Sequence, residues 1–296
     1  MYGSIKITTR WLMVLVILYS ITCSRFQRPG NVIFLTSLEN KTLYCPVWGS
    51  NDKMYFLASD FEMGEGELYA EVLWEYNSID SSYHKLLEGR FGYLTISHDG
   101  SKLAMTGGKL YDQRFVFDGG PLMLMHLNDT VTVDTIATTE VIIASAKFSF
   151  DDNRIYFYAY DYDYGTDTNG IYRIDLDGSN EEFLQESNDV FFDLTPGNVI
   201  INNLNGTKNI CPTDSNSIII SSIPIDGFEK CGLGLYDNNS QQYSELNAKP
   251  YESCCVCFPS WSPQGKKIVY TVAEEKSGEY QLGYGELWIL DLIAED

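Results

Sequence analysis

Oxygen donors recur at Asp161, Asp163, Asp167 and Asn169 in the segment DYDYGTDTNG, around the flexible Gly165. Carboxylate and amide oxygens in a pliant loop are what a hard cation such as calcium takes. The twelfth position is Tyr172, where a helix-flanked calcium loop needs a bidentate Glu, so the spacing fits only a looser extracellular-type site. Calcium is the one cofactor these residues bring into view. Solvation accounts for the same carboxylates, because long exposed loops stay polar.

Two further loops are acidic. One holds Asp60, Glu62, Glu65 and Glu67 in SDFEMGEGE; the other holds Glu274, Glu275 and Glu279, diluted by Lys276. Brought together they would form a negative rim that draws in a cationic partner, and apart they simply keep the chain in solution.

Enzyme signatures are missing. The sequence has no G-x-S-x-G elbow, no phosphate-binding P-loop and no H-E-x-x-H pair. Its three histidines, His84, His98 and His126, are scattered. Paired-carboxylate glycoside chemistry needs two acids a few ångströms apart, and the apolar strand segments offer Asp193 alone, in VFFDLT. The cluster Cys254, Cys255 and Cys257 lacks the C-x-x-C repeats and neighbouring His of a zinc site and reads as small buried residues or disulfides on a strand.

Of 296 residues, 41 are Asp or Glu and 20 are Lys or Arg, a formal charge of −21. Phosphate backbones would repel such a chain, which excludes nucleic acid as a partner. At 44% hydrophobic the sequence can fold, and its 21 Tyr, 15 Phe and 24 Gly suit strands and turns. Lys6 and Arg10 precede the uncharged run WLMVLVILYSIT, Trp11 to Thr22. A basic start and an apolar stretch too short to span a bilayer read as a secretory signal over residues 1–22. The six cysteines Cys45, Cys211, Cys231, Cys254, Cys255 and Cys257 then form an even set that an exported chain can join as disulfides.

The elements that must carry these residues repeat. FPSWSPQGKKIVYTV with GELWILDL is echoed by AKFSFDDNRIYFYAY with GIYRIDLDGSNEEFL. Weaker copies are PVWGSNDKMYFLAS with AEVLWEYNSID, YLTISHDGSKLAM with GPLMLMHLND, and CPTDSNSIIISS with LGLYDNNSQQYSEL. Their second strands start at Met54, Leu103, Ile155, Ile218 and Ile268, intervals of 49, 52, 63 and 50 residues. Four strands per period of about fifty residues is the mark of a β-propeller. The Gly of SHDGSK and SPQGKK sits where a tight turn needs positive φ. Trp48, Phe148 and Trp261, just before the turns, are placed to fill the wedges between blades, and the Asp of IDLDG and ILDL to cap the turn that follows.

Pro259 to Tyr270 with Leu287 to Leu292 carry the elements P-x-W-S-P-x-G-K-x-I-x-Y and (I/L)-(Y/W)-x-(I/L)-D-L, and Phe148 to Phe157 with Ile171 to Gly178 follow them nearly as well. These resemble the TolB-type propeller repeat of bacterial envelope proteins. That resemblance implies an exported propeller serving as adaptor, sensor or enzyme scaffold. Cys23 resembles the lipid-acceptor cysteine of bacterial lipoproteins, although Ser20 and Thr22 depart from that pattern. In a bacterial chain the sequons at Asn40, Asn128, Asn205 and Asn238 are incidental.

The expected organisation is a signal over 1–22, a linker over 23–30 and one all-β propeller over 31–296. It has five recognisable four-stranded blades, and NDVFFDLTPGNVIINNLNGTK is either an insertion or a shrunken sixth. The chain stops at the third strand of its last blade, and NVIFLTSLEN is placed to supply the fourth. The expected role is non-enzymatic binding of envelope protein or polysaccharide at the periplasm or cell surface, with membrane contact only through the N-terminus. A carbohydrate-active enzyme using Asp193 with rim acids is the alternative, and a calcium-stabilised module a third reading.

Overall fold

The computed structural model describes residues 30–296 except 51, 61–69, 112–113, 128–131, 138–141, 161–168, 203–206, 226–227, 252–253, 276–281 and 293–296. Every regular element among them is a β-strand. The first blade takes β2 (Thr42–Trp48), β3 (Lys53–Ser59), β4 (Ala70–Asn77) and the opening half of β5 (Ser82–Ile96). Phe91 pairs with Ala70 on one side and Gly107 on the other. There β5 leaves the first blade's outer edge and becomes the innermost strand of the second, ahead of β6 (Lys102–Tyr111), β7 (Arg114–His126) and β8 (Thr132–Ala137).

The third blade is β9 (Ile142–Phe148), β10 (Arg154–Tyr160), β11 (Gly170–Asp175) and β12 (Glu182–Glu186). A two-stranded hairpin follows, β13 (Asp193–Leu194) with β14 (Ile200–Ile201). Then come β15 (Lys208–Cys211), β16 (Asp214–Ile225), β17 (Phe228–Asp237) and β18 (Gln242–Leu246), and finally β19 (Cys254–Trp261), β20 (Lys267–Glu275) and β21 (Leu282–Leu292). The expected closure is present: β1 (Gly30–Thr36) pairs antiparallel with β21, Gly30 opposite Leu292 and Phe34 opposite Trp288. The fold is all-β, with five four-stranded blades and a reduced sixth.

The hairpin is recognisable as that sixth blade by its turn. In the full blades Ser97, Ser149 and Ser262 each bond by backbone N–H to the carbonyl five residues on. Their own carbonyls accept from Gly100, Asp152 and Gly265, all at positive φ. Thr195 and Asn198 repeat this arrangement: Thr195 donates to the Val199 carbonyl, and Asn198 holds φ 58° while bonding back to Thr195. The long 63-residue interval therefore contains an inner hairpin that has no two outer strands among the described residues.

Blades meet through apolar clusters, as the wedge aromatics require. Trp48 lies with Met54 and Phe56 against Val269 and Ile289 of the last blade, closing the ring. Phe148 joins the second blade to the third, and Trp261 joins the last blade to the one before it. Tyr44, Tyr55 and Leu57 of the first blade share a cluster with Leu94, Leu103 and Met105 of the second. Tyr156 and Tyr158 of the third cover Phe192 and Leu194 of the reduced one.

The expected Asp caps need one correction. Asp177, not Asp175, accepts the turn N–H of Ser179. Asp175 holds the same turn through Asn180 Nδ2, which donates to it at 2.7 Å, and also pairs with Arg154 at 2.8 Å, as Asp291 does with Lys267 at 3.3 Å. Each basic residue opens the second strand directly opposite its Asp, so the charges are cross-strand neighbours.

Candidate channel site

The ends of β2, β5, β9, β13, β15 and β19 converge on a central cavity of about 340 Å³. Its walls carry the aromatic rings of Tyr93, Phe150 and Phe258 and five prolines, Pro46, Pro196, Pro212, Pro259 and Pro263. The prolines have a structural reason. Innermost strands turn an unpaired edge to the channel, and proline has no N–H to leave there unsatisfied. Pro46 and Pro259 sit inside bulges, where pairing breaks between Tyr44 and Val47 and between Cys257 and Ser260. The residues before them, Cys45 and Phe258, are held at φ 48° and 50°. Positive φ is costly for a residue as bulky as Phe, and the two matched distortions face one cavity across the ring-closing seam.

The channel's charges form a clasp. Asp193 is 6% exposed, and its carboxylate accepts the N–H of Leu194 at 2.9 Å and of Ile210 at 2.6 Å. Lys147 Nζ stands 3.8 Å from it and donates to the Lys208 carbonyl at 3.4 Å. Burial opposes the charge on Lys147, but Asp193 and the Tyr93 hydroxyl outweigh it and hold the ammonium above its ordinary range. Lys208 Nζ, itself buried, reaches Asp189 at 2.6 Å. Burial lowers its affinity for the proton even so. Burial also pushes the Cys45 thiol up, and the Cys257 thiol up to about 12, so neither is a ready nucleophile.

Of the acids expected on the rim, Asp60 is exposed and paired with Lys41. Glu62, Glu65, Glu67, Glu279, Asp161, Asp163, Asp167 and Cys23 lie outside the described residues, as do the side chains of Glu274, Glu275 and Cys231. Asn169 is half-buried, its carbonyl accepting from Ser187 at 3.2 Å. Asp60 and Asn169 adjoin the loops between second and third strands, whereas Ser97, His98, Phe150 and Pro263 of the cavity belong to the turns between first and second strands. Asp60 and Asn169 thus lie at the other end of the blades from this cavity. Among the described residues no three His, Cys, Asp or Glu side chains converge as metal ligands.

His98 is committed to the turn network, 3.0 Å from Asp152 and with its ring tilted 55° against Phe150. Cys255 is disulfide-bonded, while Cys45, Cys211, Cys254 and Cys257 are reduced, Cys254 Sγ donating to the Tyr251 carbonyl at 3.0 Å. Lys147 and Lys208 were not singled out in the sequence. Their signal is faint: a Lys at the centre of the apolar run SAKFSF, and another opening a short strand, KNIC, that the repeat's numbering skipped.

No family model and no curated protein matches this sequence. Solved structures do. An oligogalacturonate lyase in complex with manganese superposes with a TM-score of 0.53 at 14% identity, over 88% of this chain and 79% of that one. Regucalcin from Agrobacterium tumefaciens, a calcium-binding protein, gives 0.56 at 11% identity over 90% and 95%. TolB from Acinetobacter baumannii gives 0.42 at 14% identity, over 85% of this chain and 54% of TolB. At such identities the likeness to the lyase and to regucalcin shows the fold alone, a β-propeller.

Proposed function

We propose that this chain is a non-enzymatic binding propeller of the bacterial envelope, exported and anchored at most through its N-terminus. It would engage a protein or envelope polymer at a channel mouth or by its acidic loops. The observation that carries this reading is the state of Asp193. General acid–base work needs a carboxyl able to exchange its proton with substrate. Asp193 has both oxygens engaged by backbone N–H groups and Lys147 beside it. It holds the ring together, and the aromatic and proline walls around it are those of a recognition surface.

The lyase among the structural neighbours makes polysaccharide cleavage the reading to defeat. The test is a photo-crosslinking residue in place of Phe150 at the channel mouth, with the protein expressed in a bacterial envelope, beside a reducing-end assay on oligogalacturonate and other uronates with and without manganese. A discrete crosslinked protein or polymer, absent when the residue is placed at exposed Ile79, is expected. Saccharide turnover abolished in Asp193→Asn would overturn the proposal.

A further inference from the structure

We infer that the ring has a gate, the boundary between the last blade and the first, which parts while the blades themselves stay folded. Cys45 and Pro46 wall the channel cavity on one side of this seam, and Phe258 and Pro259 on the other. Parting there opens the cavity sideways, to a ligand too long to be threaded end-on.

Two tryptophans distinguish this boundary from the one before it. Their positions are equivalent: Trp48 stands opposite Met54 and Trp261 opposite Ile268, each just after a proline inside a bulge. Trp261 reaches back into the preceding blade, where the Asn209 carbonyl accepts its Nε1–H and Asn209 Oδ1 its backbone N–H, both at 2.9 Å. Trp48 reaches back in the same way, against Val269 and Ile289 of the last blade. Its Nε1 is buried and finds no acceptor among the described residues. The register gives a cause. Ile210 stands opposite Ile218 as Trp261 does opposite Ile268, so Asn209 is matched in the last blade by Ser260, whose side chain is one bond shorter.

Further costs gather at the same seam. Trp74 Nε1, beside the Trp48 cluster, and Thr271 Oγ1 of β20, which packs against β2, are also buried without a hydrogen-bond partner among the described residues. A buried polar atom left unbonded destabilises the closed boundary, and water satisfies it once the boundary parts. Cys45 and Phe258, one on each side, hold φ 48° and 50°, which adds strain. The bonds that cross here join uncharged groups: the Gly285 N–H donates to Thr42 Oγ1 at 3.4 Å, and Thr36 Oγ1 meets the Tyr83 hydroxyl. With β1 paired to β21, residues 37–41 tie it to β2, so this strap limits parting without forbidding it.

A matched pair of probes tests this. Val269 lies opposite Ser260 and Ile219 opposite Asn209; both are fully buried, Val269 in the seam cluster and Ile219 in the cluster at the boundary before it. Thiols placed by Val269→Cys and Ile219→Cys are alkylated in the native full chain and followed site by site by mass spectrometry. The Val269→Cys thiol should react about tenfold faster, the ratio that one missing hydrogen bond gives, with a shallower urea dependence than global unfolding. Ser260→Asn added to the first variant should slow it, and Asn209→Ser added to the second should speed it. Equal rates, a ratio that neither change moves, or a urea dependence as steep as global unfolding overturns the inference. Where a cysteine variant does not fold, Trp48→Phe and Trp261→Phe decide. They remove the same atoms, and Trp261→Phe should lower the urea midpoint more, because it also breaks the bond to Asn209; equal loss overturns the inference as well.

Discussion

Asp193 accepts the backbone N–H of Ile210 across a blade boundary, 2.6 Å apart. The last blade repeats the device one step on, with Asn209 Oδ1 accepting the N–H of Trp261 at 2.9 Å. Other boundaries around the ring combine apolar clusters with neutral or turn hydrogen bonds. The one after the reduced blade is held by charge, through Asp193 with Lys147 and Asp189 with Lys208.

Asp193→Ala should therefore be among the most damaging single substitutions. It leaves two N–H groups without an acceptor and Lys147 buried without its counter-charge, a loss of about 3–5 kcal/mol by analogy with other broken buried pairs. Asp193→Asn keeps one acceptor and should cost less, and Asp193→Ala with Lys147→Met should recover part of the deficit. Urea unfolding of the three variants checks the order; equal loss in all three would mean the charge contributes nothing.

Removal of residues 30–36 takes away the outer strand of the last blade. The lost ladder with β21 is worth several hydrogen bonds of about 1 kcal/mol each, and Trp288 loses its edge contact with Phe34, ring centres 5.2 Å apart. The expected outcome is a drop of at least about 3 kcal/mol with concentration-dependent association through bare β21. A truncated chain that unfolds at the same temperature and stays monomeric would show that closure rests on the Trp48 wedge alone.

The fold was legible and the site was not, for physical reasons. The repeat shows because Trp48, Phe148 and Trp261 must recur wherever a blade meets its neighbour, and because β1 has to cover the edge of β21. The reduced blade hid in a long interval since β13 and β14 are two residues each, too short for any periodic signal. The channel clasp hid because its members are 46 and 61 residues from Lys147 in the chain, and a Lys in a strand carries no mark of burial. Asp193 is the one acid that the sequence places in the channel, and there both its oxygens accept backbone N–H groups.

The turn position held by Gly265 in the last blade is held by Asp152 in the third, at φ 65° and 54°. The exchange is not symmetrical. A Cβ at Gly265 would meet Thr213 Oγ1 at 2.2 Å, so Gly265→Ala combines a left-handed cost of about 1–2 kcal/mol with a clash. Asp152 tolerates the same conformation and uses its side chain to accept the N–H groups of His98 and Asp99 from the second blade. Asp152→Gly should relieve the backbone yet lose about 1–2 kcal/mol through those two bonds. Chemical denaturation of both variants measures this; stabilisation in Asp152→Gly would show that the bonds between turns carry no weight.

Acid should loosen the turns selectively. Partial burial pushes Asp99 upward, but hydrogen bonds from Ser101 and Ser97 outweigh it and bring the carboxyl down to about 2. Ser149 lowers Asp151, Ser179 lowers Asp177 and Asn180 lowers Asp175 in the same way. A carboxyl that ionises more readily folded than unfolded adds stability above its unfolded value, about 4, and loses it as pH falls toward the folded one. Protonation of the other acids acts oppositely, by easing the repulsion in a chain of −21. The difference between wild type and Asp99→Asn separates the two effects. That difference should be constant from pH 7 to about 5 and shrink between about 4 and 2. A difference that shrinks above pH 5 would assign the loss to some group other than the turn carboxylates.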